Sequence, residues 1–119
     1  MNKYILSSLI LLSLDFVYLN LSKNHFSKVV RSIQGSDIKL NYIAAIACYI
    51  CLILGINYFI IKDNRSILDA FLLGFFVYIV FDLTNKAIFN NWDYTTVIMD
   101  SLWGGTLFAL TTYFVEKLI

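Results

Sequence analysis

Charge is what this chain of 119 residues has least of: Asp, Glu, Lys and Arg make up 14% of it, where an ordinary soluble domain has about 25%. Apolar residues reach 60%, and a soluble domain of this size buries only part of its surface, so it could not hide them all. An ordinary water-soluble fold is thereby excluded, and an integral membrane protein is expected. A formal net charge of +1 also leaves no concentrated basic face of the kind nucleic acid requires. His25 is the single histidine, so haem would find at most one ligand, and no Ser-His-Asp or Cys-His set is present. Loops of the Gly-x-Gly type for nicotinamide or flavin are missing, and no cofactor is expected. The two cysteines, Cys48 and Cys51, lie in the run IAAIACYICLILG. Thiol redox and zinc sites need thiolates in polar, accessible surroundings, so these two read as small packing residues.

What is present is a set of long apolar runs. About twenty apolar residues cross a bilayer core as a helix, and four segments qualify: 4–21, 41–61, 67–89 and 94–115. The fold expected is an all-α integral membrane bundle of four transmembrane helices, one domain over 1–119, in contact with the lipid bilayer. Asp15 interrupts the first run and no small-residue cleavage site follows, so that run reads as a retained helix and not as a signal peptide. After it, Phe26, Val29, Val30 and Ile33 recur at helical spacing, with Lys23, Lys28 and Arg31 elsewhere and Gly35 as a stop. This describes a short amphipathic interfacial helix, or an extension of the first span. His25 falls on its polar margin and reads as solvated. Ser66 and Asp69 resemble a capping box opening the third helix, and Trp92 suits the headgroup region. Basic residues are nearly balanced between the two sides, so the positive-inside rule leaves orientation open.

Three carboxylates lie inside these runs. An ionisable residue near the bilayer centre is a functional-site candidate by default. Span directions put Asp15, Asp82 and Asp100 at a similar level, on the order of 5 Å from the midplane at 1.5 Å per residue. Helical spacing adds Tyr78, Asn85 and Lys86 to the face of Asp82, and Trp103 to that of Asp100. These seven residues form the candidate polar site, one cavity in which crowded carboxylates cannot all ionise cheaply. A bound cation or a shared proton would relieve them, and Lys86, four residues on from Asp82, could pair with it. Ala44, Cys48, Cys51 and Gly55 on the second helix, with Gly74 and Gly104, are small residues that let helices approach closely.

The pattern Tyr78-x-x-x-Asp82-Leu-Thr-Asn85, then Trp92, then Asp100-x-x-Trp103-Gly104, resembles the predicted membrane proteins grouped as domain of unknown function 2177. Asp15, Phe16 and Tyr18 match the aspartate amid aromatic residues in that family's first helix. The resemblance spans nearly the whole chain and implies a small four-helix membrane protein, without implying an activity. The chain departs from the family in lacking the prolines common in its loops. Three functions stay open. The acid level favours a small cation- or proton-coupled transporter or channel, expected as a homodimer because four helices are few for a pathway. A non-catalytic assembly or accessory protein would use the same acids as interhelical ties. A membrane enzyme acting on a lipid or isoprenoid would need them to hold Mg²⁺.

Overall fold

Four polar side chains start four helices. Asn2, Asn41, Ser66 and Asp93 each have extended backbone and accept a hydrogen bond from an N–H two or three residues on. Each thus satisfies a donor that the first helical turn leaves free. In the computed structural model, which describes residues 2–119, they open α1 (Lys3–Gln34), α2 (Tyr42–Ile56), α3 (Ile67–Ile88) and α4 (Tyr94–Leu118). No strand occurs among the described residues. The oxygen of Ser66 accepts from the Asp69 N–H at 3.0 Å, as the capping pattern suggested. α2 runs on without a break into a π-helical turn, Asn57–Ile61.

α1 corrects one expectation. No separate interfacial helix follows the first span, because α1 continues unbroken for 32 residues, about 48 Å at 1.5 Å per residue. No glycine or proline interrupts residues 3–34, so nothing in the backbone ends the helix at the membrane edge. Gly35 ends it, in the left-handed conformation with φ 74°, its N–H donating to the Arg31 carbonyl as a glycine stop does. The apolar side of the extension has a partner within the fold: Val29, Phe26 and Ile33 pack with Trp92 and Val97.

Three helices are long and apolar enough to cross a membrane: α1, α2 with its π-helical turn (Tyr42–Ile61), and α3. α4 has the length, at 25 residues, but Thr95, Thr96, Asp100, Ser101, Thr106, Thr111 and Thr112 dilute its apolar content. The structure shows why. α4 is the central helix, antiparallel to α1, packed along α3, and it buries more residues than any other helix. Thr96, Asp100, Ser101, Thr111 and Thr112 are buried there beside Leu107 and Phe108, so most of the side chains that make α4 polar face protein, while Thr95 is exposed and Thr106 half-buried.

The close approach of α3 and α4 depends on glycine. A Cβ on Gly74 would sit 2.2 Å from the carbonyl oxygen of Gly104, and one on Gly104 would sit 2.2 Å from the ring of Tyr78. By contrast, Ala44, Cys48 and Cys51 are exposed on α2, and a Cβ added at Gly55 would meet nothing within 4 Å. The small-residue face expected on α2 is therefore not a packing face within the protomer. Gly74→Ala should lower the unfolding free energy by about 1–3 kcal/mol, as overpacking does, because the obstacle is backbone and cannot rotate away. Gly55→Ala should leave stability unchanged or slightly raised. Thermal unfolding of the purified variants in one detergent checks both.

Candidate functional site

The site is built where α1 and α4 run past each other. Tyr18 of α1 and Trp103 of α4 stack with ring centroids 4.8 Å apart and planes 5° from parallel. Each ring hands its polar hydrogen to a carboxylate on the other helix. The Trp103 indole N–H donates to Asp15 Oδ1 at 2.9 Å, and the Tyr18 hydroxyl donates to Asp100 Oδ1 at 2.9 Å. The second oxygen of Asp15 accepts from the Tyr49 hydroxyl of α2. Asp15 thus joins α1, α2 and α4, and Asp100 joins α4 to α1. Charge-assisted hydrogen bonds of this kind are about twice as strong as neutral ones.

Asp82 differs. It is fully buried, at 0% exposure, beside the Asp100 carboxyl and the Trp92 indole. Neither of its oxygens makes a hydrogen bond, and the buried Trp92 Nε1 is likewise unpartnered. Leaving a buried acceptor unsatisfied costs about 1–3 kcal/mol, and more if it is charged.

The remaining candidates divide. Tyr78 lies against Gly104 and so belongs to the α3–α4 contact beside the acids. Asn85 is half-buried, and its side chain makes no hydrogen bond among the described residues. Lys86 does not pair with Asp82. Its ammonium donates to the Asn90 carbonyl at 3.1 Å and lies 5.1 Å from the centre of the Tyr94 ring. The long aliphatic stem lets the charge reach the polar end of α3, where carbonyls are free, instead of the interior. Nor do the acids surround an open space, since the stacked rings fill the distance between Asp15 and Asp100. Among the described residues, no three His, Cys, Asp or Glu side chains converge as a metal-binding group.

Tyr18, Tyr49, Trp92 and His25 do more here than spacing assigned to them. A buried Tyr or Trp needs an acceptor for its polar hydrogen, and in apolar spans holding three carboxylates the acceptors are few. That inventory points to Tyr18 and Tyr49 even from the sequence. His25 is half-buried, not solvated. Its Nε2 lies 2.6 Å from Thr96 Oγ1, and the Thr96 hydroxyl and N–H both donate to Asp93 Oδ1, at 2.6 and 2.7 Å. With the Thr96 hydrogen committed to Asp93, His25 is the donor in its own contact.

The two bonds from Thr96 hold the Asp93 carboxyl below the usual carboxylate range. A carboxyl depressed on folding stabilises the fold above its unfolded value, about pH 4, and that stability is lost as pH falls through the lower folded value. Asp93→Ala should cost about 1 kcal/mol, the usual worth of such a cap. Asp93→Asn should keep the cap and flatten the acid limb of a stability–pH curve. At the other end of the site, Tyr49→Phe leaves one oxygen of Asp15 without its donor and should cost about 1–3 kcal/mol, read as a fall in melting temperature with helix content unchanged.

Residues 1–115 match the family described as "Predicted membrane protein (DUF2177)", and the chain belongs to that family. No curated protein and no solved structure matches the chain.

Proposed function

On the premise of that membership, we propose that the chain is a multi-pass integral membrane protein with α4 as its fourth span, and that it is a small proton-coupled transporter whose proton site is the Asp82–Asp100 pair. The observation that supports this is the state of Asp82: completely buried, next to a second carboxyl, with neither oxygen bonded. Two carboxyl groups side by side in a low-dielectric interior cannot both carry charge without a large cost. One proton shared between them removes that cost, and releasing it requires water or a countercharge to arrive. Such a pair is a natural coupling group, and coupling sites of transporters tend to lie at mid-membrane depth.

Asp15 supports the alternative, an assembly or accessory protein with structural acids. Both its oxygens are bonded, by Trp103 and Tyr49, which is what an interhelical tie requires. We assign it that scaffold role within the transporter. The enzyme reading has no comparable support, because Mg²⁺ held by protein would need several oxygen ligands and the acids do not converge in threes. A homodimer would use faces that the protomer leaves uncovered, the exposed small residues of α2 among them.

The two readings separate on two substitutions. Asp82→Asn should leave the melting temperature unchanged or raised, since a neutral amide replaces one of two crowded carboxyls and still offers Asp100 a hydrogen-bond donor. It should also reduce proton uptake into liposomes, driven by an imposed pH gradient, by at least tenfold. Asp15→Asn should lower the melting temperature by several degrees. No uptake by folded wild-type protein above empty vesicles, or uptake that survives Asp82→Asn, overturns the proposal.

A further inference from the structure

A second site lies at the far end of the bundle from the Trp92 turn. There α1 begins, α4 ends, and the turn after the π-helical segment crosses between them. A cavity of about 170 Å³ opens among Lys3, Ile61, Arg65, Thr112, Val115 and Glu116. Its composition is mixed. Ile61, Val115 and Thr112 are buried and form its inner side. Lys3, Arg65 and Glu116 bring two positive charges and one negative charge to its outer side. Yet the three are not joined to one another. Among the described residues, the ion pairs are Arg31 with Asp37 and Arg65 with Asp69. Lys3 and Glu116 line one cavity without pairing across it. Arg65 uses only its Nε toward Asp69, at 2.9 Å, so its two terminal nitrogens are free to donate.

Opposite charges that share a cavity and stay apart leave room for a ligand carrying both charges in the reverse order. The position of the cavity narrows the ligand's class. It sits at the ends of α1 and of the Tyr42–Ile61 segment, two of the helices long enough to span, which is headgroup level for a chain of this family. Its inner wall is apolar at Ile61 and Val115, with the unpartnered Thr112 hydroxyl as a polar point, and its rim is charged, matching a lipid whose polar head adjoins its acyl chains.

We propose that this cavity binds a phospholipid whose headgroup joins a phosphate to a primary ammonium, the phosphate held by Lys3 and Arg65 and the ammonium by Glu116. Arg and Lys are the usual phosphate donors, Arg through its fork of N–H groups and Lys as a point charge. A primary ammonium has three N–H donors for a carboxylate. A trimethylated ammonium has none and a glycerol headgroup has no positive charge, so Glu116 selects among lipids that all satisfy the two cations. Ile61 and Val115 meet the start of the acyl chains. The site is separate from the Asp82–Asp100 pair and does not depend on transport.

Native mass spectrometry of the full chain in detergent provides the test. Dioleoyl phosphatidylethanolamine, phosphatidylcholine and phosphatidylglycerol would be added in turn, with soluble phosphoethanolamine as the headgroup without chains. Wild type should hold the ethanolamine lipid at least fivefold more tightly than either other lipid, and soluble phosphoethanolamine much more weakly. Glu116→Gln should abolish the preference over phosphatidylcholine, and Arg65→Gln should weaken all three lipids, with melting temperatures near that of wild type. Equal binding of the three lipids by wild type, or a preference that survives Glu116→Gln, overturns the assignment. Soluble phosphoethanolamine binding as tightly as the lipid overturns the lipid as its source. Proton uptake is not read in any arm, so this result and that of the transport test fall independently.

Discussion

Leaving a buried carboxylate unsatisfied is costly, and for Asp15 and Asp100 the stacked Tyr18 and Trp103 rings remove that cost. Each ring carries one polar hydrogen and supplies it across the α1–α4 seam to an acid on the opposite helix. Stacking fixes both rings, so both donors arrive pre-positioned. Such pairs are worth about 0.5–1.5 kcal/mol beyond the area they bury. With no lipid-phase hydrophobic effect to draw helices together, packing and interhelical hydrogen bonds set the arrangement of a membrane bundle. Here they fix the register of α1 against α4, and Tyr49 extends the hold to α2.

The same principle explains why the polar helix is at the centre. α4 carries Thr96, Ser101, Thr111, Thr112 and the paired glycines, and it buries them within the bundle. The helices around it show lipid-soluble side chains to the outside, such as Leu68, Val80 and Phe81 on α3 and Ile43, Ile46 and Ile50 on α2. α2 is the least firmly held. Besides Tyr49, its main polar tie is the buried Asn57 amide at the π-helical turn, which donates to the Ser7 hydroxyl at 2.9 Å. An apolar groove lined by Gly55, Phe59, Leu73 and Val77 separates it from α3. The glycines that matter for packing are those facing another backbone or ring, Gly74 and Gly104, and α2 has no counterpart within the protomer.

Much of this was legible in the sequence, and for a physical reason. Apolar run length and capping residues are local properties, so α2, α3 and α4 begin within a residue of the starts of the apolar runs, and α3 begins at its expected Ser66 cap. Counting residues along alternating directions expects Asp15, Asp82 and Asp100 at one level; the structure sets Asp100 beside Asp82 and joins Asp100 and Asp15 to the same Tyr18–Trp103 stack. Spacing could not tell which acid has partners. Lys86 stood at the right spacing for Asp82, but an ammonium on a long stem goes where solvation is cheaper, and that is decided at the helix end by Asn90 and Tyr94. Nor could spacing find His25 with Thr96, because their meeting depends on α1 continuing past its apolar run. The unbroken helix was one of two readings there, and only the tertiary contact of Val29 with Trp92 and Val97 decides between them.

That contact also bears on how the acid pair meets water. Asp82 is covered on the outer side by the Trp92 ring, which lies 6.0 Å from Phe81 and 6.2 Å from Phe26. Trp92 belongs to the short turn between α3 and α4, and the α1 extension holds that turn in place. Asn91 donates to the Ser32 carbonyl at 2.9 Å and His25 reaches Thr96. The Asn91 tie is exposed, so water is a ready substitute for it, and the half-buried His25 donor can likewise turn to water, although its partner Thr96 is buried. The Asp15 carboxylate is buried and bonded at both oxygens, so losing its ties would leave a buried acceptor unsatisfied and they resist. A proton moving to or from Asp82 would therefore require the outer end of α1 and the Trp92 turn to part while the Tyr18–Trp103 joint stays closed. On the proposed reading, that division, a firm scaffold at Asp15 and a releasable cover over Asp82, would distinguish a working acid from a structural one.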